Sequence, residues 1–448
     1  MSDTTFSYTR SHLESLAAQV LELARQQGAT ACEVDISEGT GQSVSVRLGE
    51  VETIEYNQDK GVDVTVYFGQ KKGHASTSDF TATALADTVG AAVNIARFTA
   101  EDDCAGLAEP SLLATDFPDL ALYHPWALPV AEAIELAREC EQAARAVDSR
   151  ISNSEGATVS TQQSQFIYAN SHGFVGGFPS SRHSLSAAVV ASEGESMQRD
   201  YWYSAARHRE DLESAMQVGA RAGERTVRRL NARRITTGQY PVLFEAPVAA
   251  SLIGHLVSAI SGGALYRKSS FLLDSLGKPV CSPCVVIDED PFLLRGFGSS
   301  PFDSEGVETC ARRLVDNGVL KGYMLSSYSA RKLGMETTGN AGGPHNLIVH
   351  STGDSFDDLL SKMGTGLLVT ELLGHGVNTL TGDYSRGAAG FWVENGVIAH
   401  AVEEITIAGN LRDMLRQVVG IGDDVLVRGA KHVGSILIES MMVAGQGA

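Results

Sequence analysis

None of the twelve histidines in this sequence is followed by glutamate, and no two of them stand three or four residues apart. The H-E-x-x-H helix of zinc peptidases, in which two imidazoles hold the metal and the carboxylate acts as general base, is therefore missing outright. Cysteine is sparse: Cys32, Cys104, Cys140, Cys281, Cys284 and Cys310 are scattered through 448 residues. The opening MSDTTFSYTR lacks the apolar stretch of a secretory signal. Scattered cysteines without such a signal point to reduced thiols and a cytoplasmic location.

Positive charge is also short, with 35 basic residues against 54 acidic and a formal charge of −19. That balance repels a phosphate backbone and an anionic membrane surface, so neither nucleic acid nor membrane is expected as a partner. The local cluster Arg221, Arg225, Arg228, Arg229, Arg233 and Arg234 lies in a helical stretch and reads as a solvated face. The longest weakly charged run, Ala246 to Leu265, contains Pro247, His255 and several Ser and Gly, which suits a buried helix better than a membrane span.

What is present describes a globular chain of two domains, 1–234 and 235–448, with the best boundary at the Arg233-Arg234 stretch before Gly238. Apolar periodicity predicts a helix over 10–28, strands near 31–38, 41–55, 61–69 and 72–77, and helices from Asp79 to Phe98, Val130 to Val147 and Glu210 to Leu230. Sheet blocks alternate irregularly with helices, which favours α+β: an N-terminal domain of mostly antiparallel sheet with helices. Beyond Gly238 two Asn-Gly turns, Asn317-Gly318 and Asn395-Gly396, lie between apolar runs and predict hairpins in a β-rich, barrel-like C-terminal domain.

Several short patterns compete for chemistry. Glu371 and His375 would share one face if their segment were helical, but two ligands do not make a zinc site. Cys281 and Cys284 have C-x-x-C spacing without a second pair, which reads as a reduced structural pair. Ser275 with Lys278, and Ser329 with Lys332, fit S-x-x-K without the accompanying K-T-G. The run from Thr381 to Trp392 alternates Asp383, Ser385 and Arg386 with Tyr384 and small residues. It reads equally as a peptide-accepting strand edge or as a tight barrel corner.

Five longer blocks are more specific: YRKSSFLLDSLGK from Tyr266, PFDSEG from Pro301, SSYSARKLG from Ser326, TGNAGG from Thr338 and TGDYSRGAAGFWVENG from Thr381. On these blocks the chain closely resembles the TldD/PmbA family over essentially its whole length, and within it the PmbA (TldE) type. The resemblance implies a cytosolic heterodimer that cleaves unfolded peptides, including microcin precursors. The TldD-type subunit carries H-E-x-x-x-H and a distant cysteine as zinc ligands. Carried over, the first histidine falls at Ala250, the glutamate at Ser251, the second histidine at His255 and the cysteine near Val433.

One ligand of three remains and the base is gone. The resemblance therefore implies a non-catalytic subunit that binds no metal itself, with zinc in its partner. It would wall the active-site chamber, with Asp383, Tyr384, Ser385, Arg386, Glu371 and His375 as the candidate peptide groove. Two alternatives stand beside it: an independent metal-dependent peptidase using His255, Glu371 and His375, and a chaperone-like peptide-binding module. A homodimer is a further expectation for the isolated chain.

Overall fold

The computed structural model describes residues 6–445. Helix α1 (Arg10–Gln26) starts at Thr9, whose side chain accepts from His12 N–H, and it buries Leu13, Leu16, Ala17, Val20 and Ala24 along one stripe. Strands β1 (Ala31–Arg47), β2 (Glu50–Phe68) and β3 (Lys71–Thr77) follow as an antiparallel meander. Four predicted strand runs are thus three strands. The chain turns at Leu48-Gly49 rather than near Gly39, because buried Glu141 accepts hydrogen bonds from Leu48 N–H at 2.7 Å and Gly49 N–H at 2.8 Å.

Helix α2 (Ala82–Phe98) is capped by Thr81, two residues beyond the predicted Asp79. After α3 (Val130–Ala146) come β4 (Ile151–Asn170), the short β5 (Val175–Gly176), β6 (Pro179–Glu193) and β7 (Ser196–Ala206), completing one antiparallel sheet in the order β3-β2-β1-β4-β6-β7. Val34 and Ile36 on β1 pack with α1 and α2, while Val44 and Val46 of the same strand pack with α3 and α4 (Ala215–Arg228). All four residues have the same parity, so both helix pairs cover one face of the sheet.

From Gly238 the pattern changes. In chain order come β8 (Gly238–Phe244), α5 (Ala246–Ala259), β9 (Ile287–Asp290), β10 (Arg312–Asp316), β11 (Val319–Leu320), β12 (Asn346–Val349), β13 (Gly366–Leu373), β14 (Asp383–Glu394), β15 (Val397–Asn410), β16 (Val418–Ile421), β17 (Leu426–Arg428), β18 (Lys431–Val433) and β19 (Ile436–Ala444). Both Asn-Gly hairpins are present, with Asn317 and Asn395 at positive φ. Strands β15, β14, β13, β8 and β19 pair in sequence, and β19 pairs back to β15, closing a five-stranded barrel. The remaining small sheet runs β11-β10-β9-β12-β18-β17. The fold is α+β, as the sequence predicts.

Closure has a consequence for the Thr381–Trp392 run. Strand β14 is paired on one side with β15 and on the other with β13, and Ser385 N–H donates to Gly376 O at 2.7 Å beyond the end of β13. It offers no free edge, so the expectation of peptide addition there is corrected: the run is a barrel wall. Glycine allows this packing, since a Cβ on Gly390 would lie 1.9 Å from Leu368 O.

Candidate functional site

Helix α5 follows β8 through Glu245, with Pro247 in its first turn, where a missing N–H costs nothing. Its start is fixed from the far end of the domain: Ala246 N–H donates to Ser435 Oγ at 3.0 Å, and Ser435 Oγ donates to Asp424 at 2.6 Å. Val248, Ser251 and His255 then fall at helical spacing on one face.

The four positions that the resemblance assigns to metal chemistry have different environments. Ala250 and Val433 are buried in the same apolar cluster. Ser251 Oγ is turned back to donate to Val248 O at 2.7 Å. His255 stands edge-on to Tyr384, with ring centroids 5.9 Å apart, and its Nε2 is buried without a hydrogen-bond partner. The Lys431 ammonium sits over Gly254 of the same helix, 3.8 Å from where a Cβ would be. Burial, together with the charges of Arg386 and Lys431, holds the His255 imidazole below its ordinary pKa.

A zinc ion asks for three protein ligands of N, S or carboxylate type. Here the positions supply one imidazole, one hydroxyl directed elsewhere and two apolar side chains, with two cations acting on the imidazole. These residues do not fit the ion. Among the described residues no group of three or more His, Cys, Asp or Glu is placed to hold a metal.

Glu371 and His375 are not brought together with His255. Glu371 lies on strand β13, not a helix, and its carboxylate pairs with Arg229 at 2.5 Å. His375 is exposed beyond the end of that strand. Strand alternation also divides the candidate groove on β14. Tyr384 and Arg386 share the face toward α5, while Asp383 and Ser385 are exposed on the other. Burial pushes the Tyr384 phenol up to about 12, and its hydroxyl has no partner.

Ser251, Thr370, Glu371, Arg386 and Arg428 line a cavity of about 300 Å³ that is closed on the other side by Trp202 and Arg225. Of the arginine cluster read as a solvated face, Arg221, Arg228, Arg233 and Arg234 are exposed, but Arg225 lines this cavity and Arg229 is buried. Arg225 pairs with Glu245 at 2.9 Å and Asp200 at 3.4 Å, and Arg229 pairs with Asp200 at 3.7 Å as well as with Glu371. Their side chains are only 14% and 11% exposed. On another face of the helix, Gly219 and Gly223 let α4 press onto α3, where a Cβ would come within 2.1 and 2.4 Å of the carbonyls of Cys140 and Ala144. That spacing of small residues was the available signal for a buried helix face.

A larger cavity, about 830 Å³, lies where Glu33 and Tyr67 meet Asp102, Tyr328 and Lys332. Its polar groups already serve one another. Glu33 accepts from the hydroxyls of Tyr67 and Tyr168, and Asp102 from Lys332 and Tyr328. The remaining sequence patterns are structural: Ser329 closes a capping box and Lys332 pairs with Asp102, while burial pushes the Cys281 thiol up to about 12.

Residues 32–96, 123–230 and 237–445 match, in order, domain 1, the central domain and the C-terminal domain of the PmbA/TldA metallopeptidase models. The chain is 50% identical to metalloprotease PmbA of Escherichia coli O157:H7, covering 98% of this chain and 97% of that one. It is 48% identical to the metalloprotease PmbA homolog of Haemophilus influenzae, over 97% and 96%. A crystal structure of a candidate DNA gyrase modulator from Bacteroides thetaiotaomicron superposes with a TM-score of 0.92 at 28% identity, covering 98% and 99% of the two chains. Matched from end to end in sequence and in fold, the chain belongs to the PmbA family of metallopeptidases.

Proposed function

We propose that this chain is the non-catalytic subunit of a two-chain cytoplasmic metallopeptidase, completing the chamber of a TldD-type partner that carries the zinc. The observation that carries the reading is the state of α5. Of its three motif positions only His255 keeps an imidazole, Ser251 offers no base, and Lys431 and Arg386 bring positive charge to that imidazole. A water to be activated at neutral pH needs a metal cage and a base, and general-base assistance alone is typically worth about 10² to 10⁴-fold.

In this reading the chain contributes walls. Arg386 on β14, with Ser251 on α5, faces the space through which an extended, unfolded peptide reaches the partner's metal. Co-expression with a TldD-type chain tests it: peptide cleavage is expected only from the mixture, and zinc only in proportion to the partner. Stoichiometric zinc in this chain alone, with peptidase activity lost in His255→Ala, overturns the proposal in favour of an independent peptidase. Tight peptide binding with no stable association with the TldD-type chain would instead favour a chaperone-like module.

A further inference from the structure

The wall facing α5 carries more positive charge than its own carboxylates answer. Arg225 and Arg229 are matched by Asp200, Glu245 and Glu371, and Arg221 by Glu213. Arg386, Arg428 and Lys431 have no carboxylate within ion-pair distance among the described residues. In a chain of net charge −19 such a gathering is not a by-product of composition.

Two of the three are held against each other. Arg428 and Lys431 are direct cross-strand partners at the tip of the β17–β18 hairpin, so their side chains leave the same face of the ladder. Like charges placed directly opposite destabilise a hairpin. The hairpin nonetheless holds Arg428 firmly: its guanidinium stacks on Tyr203 at 3.7 Å and Trp202 at 4.5 Å and donates to Tyr203 O at 2.8 Å. One N–H of the fork is used there, which leaves donors free. Among the described residues the Lys431 ammonium makes no hydrogen bond, and the Arg386 guanidinium only a long one, 3.5 Å, to Leu373 O.

A second observation is independent of charge. Thr370, which lines the cavity and is 7% exposed, has a buried Oγ1 with no partner. Arg225 Nε, in the same lining, is also buried without a hydrogen bond, although Arg225 keeps its ion pairs. Two of the seven such atoms among the described residues therefore lie on this one cavity. Buried polar groups are ordinarily satisfied, and a pair of exceptions marks a place built for something else.

We infer that this cavity is a carboxylate-binding site, in which Arg428, Arg386 and Lys431 hold a carboxylate of an extended peptide and Thr370 completes its hydrogen bonds. A guanidinium fork fixed by stacking is preorganised for a planar carboxylate. The anion also removes the repulsion between Arg428 and Lys431. The site deepens the proposed role as a peptide wall and rests on it for its physiological meaning, but the binding itself needs no partner subunit.

Calorimetry on the full chain alone, at low salt, tests it with three unlabelled octapeptides of glycine, serine and alanine, all N-acetylated. One has a free C-terminal carboxylate, one is amidated, and one is amidated with a single internal glutamate. The free-carboxylate or the glutamate peptide is expected to bind about tenfold or more tightly than the neutral one, as for one charge-assisted contact. Preference for the first assigns the site to the peptide C-terminus, and preference for the glutamate peptide assigns it to an acidic side chain. Equal binding of all three overturns the proposal. Arg428→Gln and Lys431→Gln, each checked by circular dichroism and melting, are expected to abolish the difference, while the distant Lys278→Gln keeps it. Retention of the difference in both site variants also overturns the assignment, and leaves the subunit reading to its own test.

Discussion

Replacing Arg225 by methionine isolates the buried ion network that ties the N-terminal sheet to the barrel. The substitution keeps the apolar stem but removes the charge shared by Asp200 on β7 and Glu245 at the head of α5. Those carboxylates are 7% and 21% exposed, so neither is well rehydrated in the folded state. Removing one partner of a buried pair costs about 3–5 kcal/mol. Two effects reduce that figure here. Arg229 remains 3.7 Å from Asp200, and Glu245 stands at a helix N-terminus, which favours negative charge. Loss of the stacking of Arg225 on Trp202, with 5.4 Å to the ring centroid, adds about 0.5–1 kcal/mol. The expected destabilisation is about 2–4 kcal/mol, read from urea unfolding followed by tryptophan fluorescence. In the Arg225→Met background, Asp200→Asn removes one of the stranded charges and should recover a substantial part. An effect below about 0.5 kcal/mol, or no recovery from the second change, would refute the account of the network as a buried joint.

Restoring the motif by Ala250→His with Ser251→Glu is expected to yield neither bound zinc nor cleavage, because Val433 contributes no thiolate and Lys431 stays over the helix; metal analysis and a peptide assay decide it. Asp35 faces Asp63 directly across β1 and β2, and burial together with that charge raises its pKa from 3.8 to about 6. A carboxyl whose folded pKa is raised disfavours folding only when ionised, so stability falls as pH rises from about 4 through 6. Asp35→Asn should therefore stabilise by about 1–3 kcal/mol at pH 8 and by nothing near pH 4; an equal gain at both values refutes the pairing. Gly390→Ala drives a Cβ to 1.9 Å from Leu368 O and should cost about 3 kcal/mol or more, whereas Gly61→Ala, with its nearest neighbour at 4.0 Å, should melt like the parent.

Local physics was legible where it was self-contained. Alternation over Val62, Val64 and Val66 identified a half-buried strand, and all three are fully buried. Asn317 and Asn395 announced their hairpins because an Asn-Gly pair accepts positive φ. The turn at Leu48 was not readable, since a leucine at φ 52° is held there by Glu141, ninety-three residues along the chain. The same holds for the site. The gaps at Ala250 and Ser251 stood in the sequence, but Arg428 and Lys431 reach α5 only through a hairpin more than 170 residues later. Charge clusters mislead for a related reason: whether Arg225 is solvated depends on Asp200 and Glu245, which helical spacing cannot report.

The closed barrel also fixes an order of events during synthesis. The N-terminal sheet draws all its strands from residues 31–206 and can pair completely as soon as they have left the ribosome. The barrel cannot. Strand β8, among the first of the C-terminal half to emerge, must wait for β19 to cover one of its flanks, and β15 waits for the same strand. Until residues 436–444 are made, α5 has no finished surface to lie against, and the cationic wall is the last part of the molecule to be assembled.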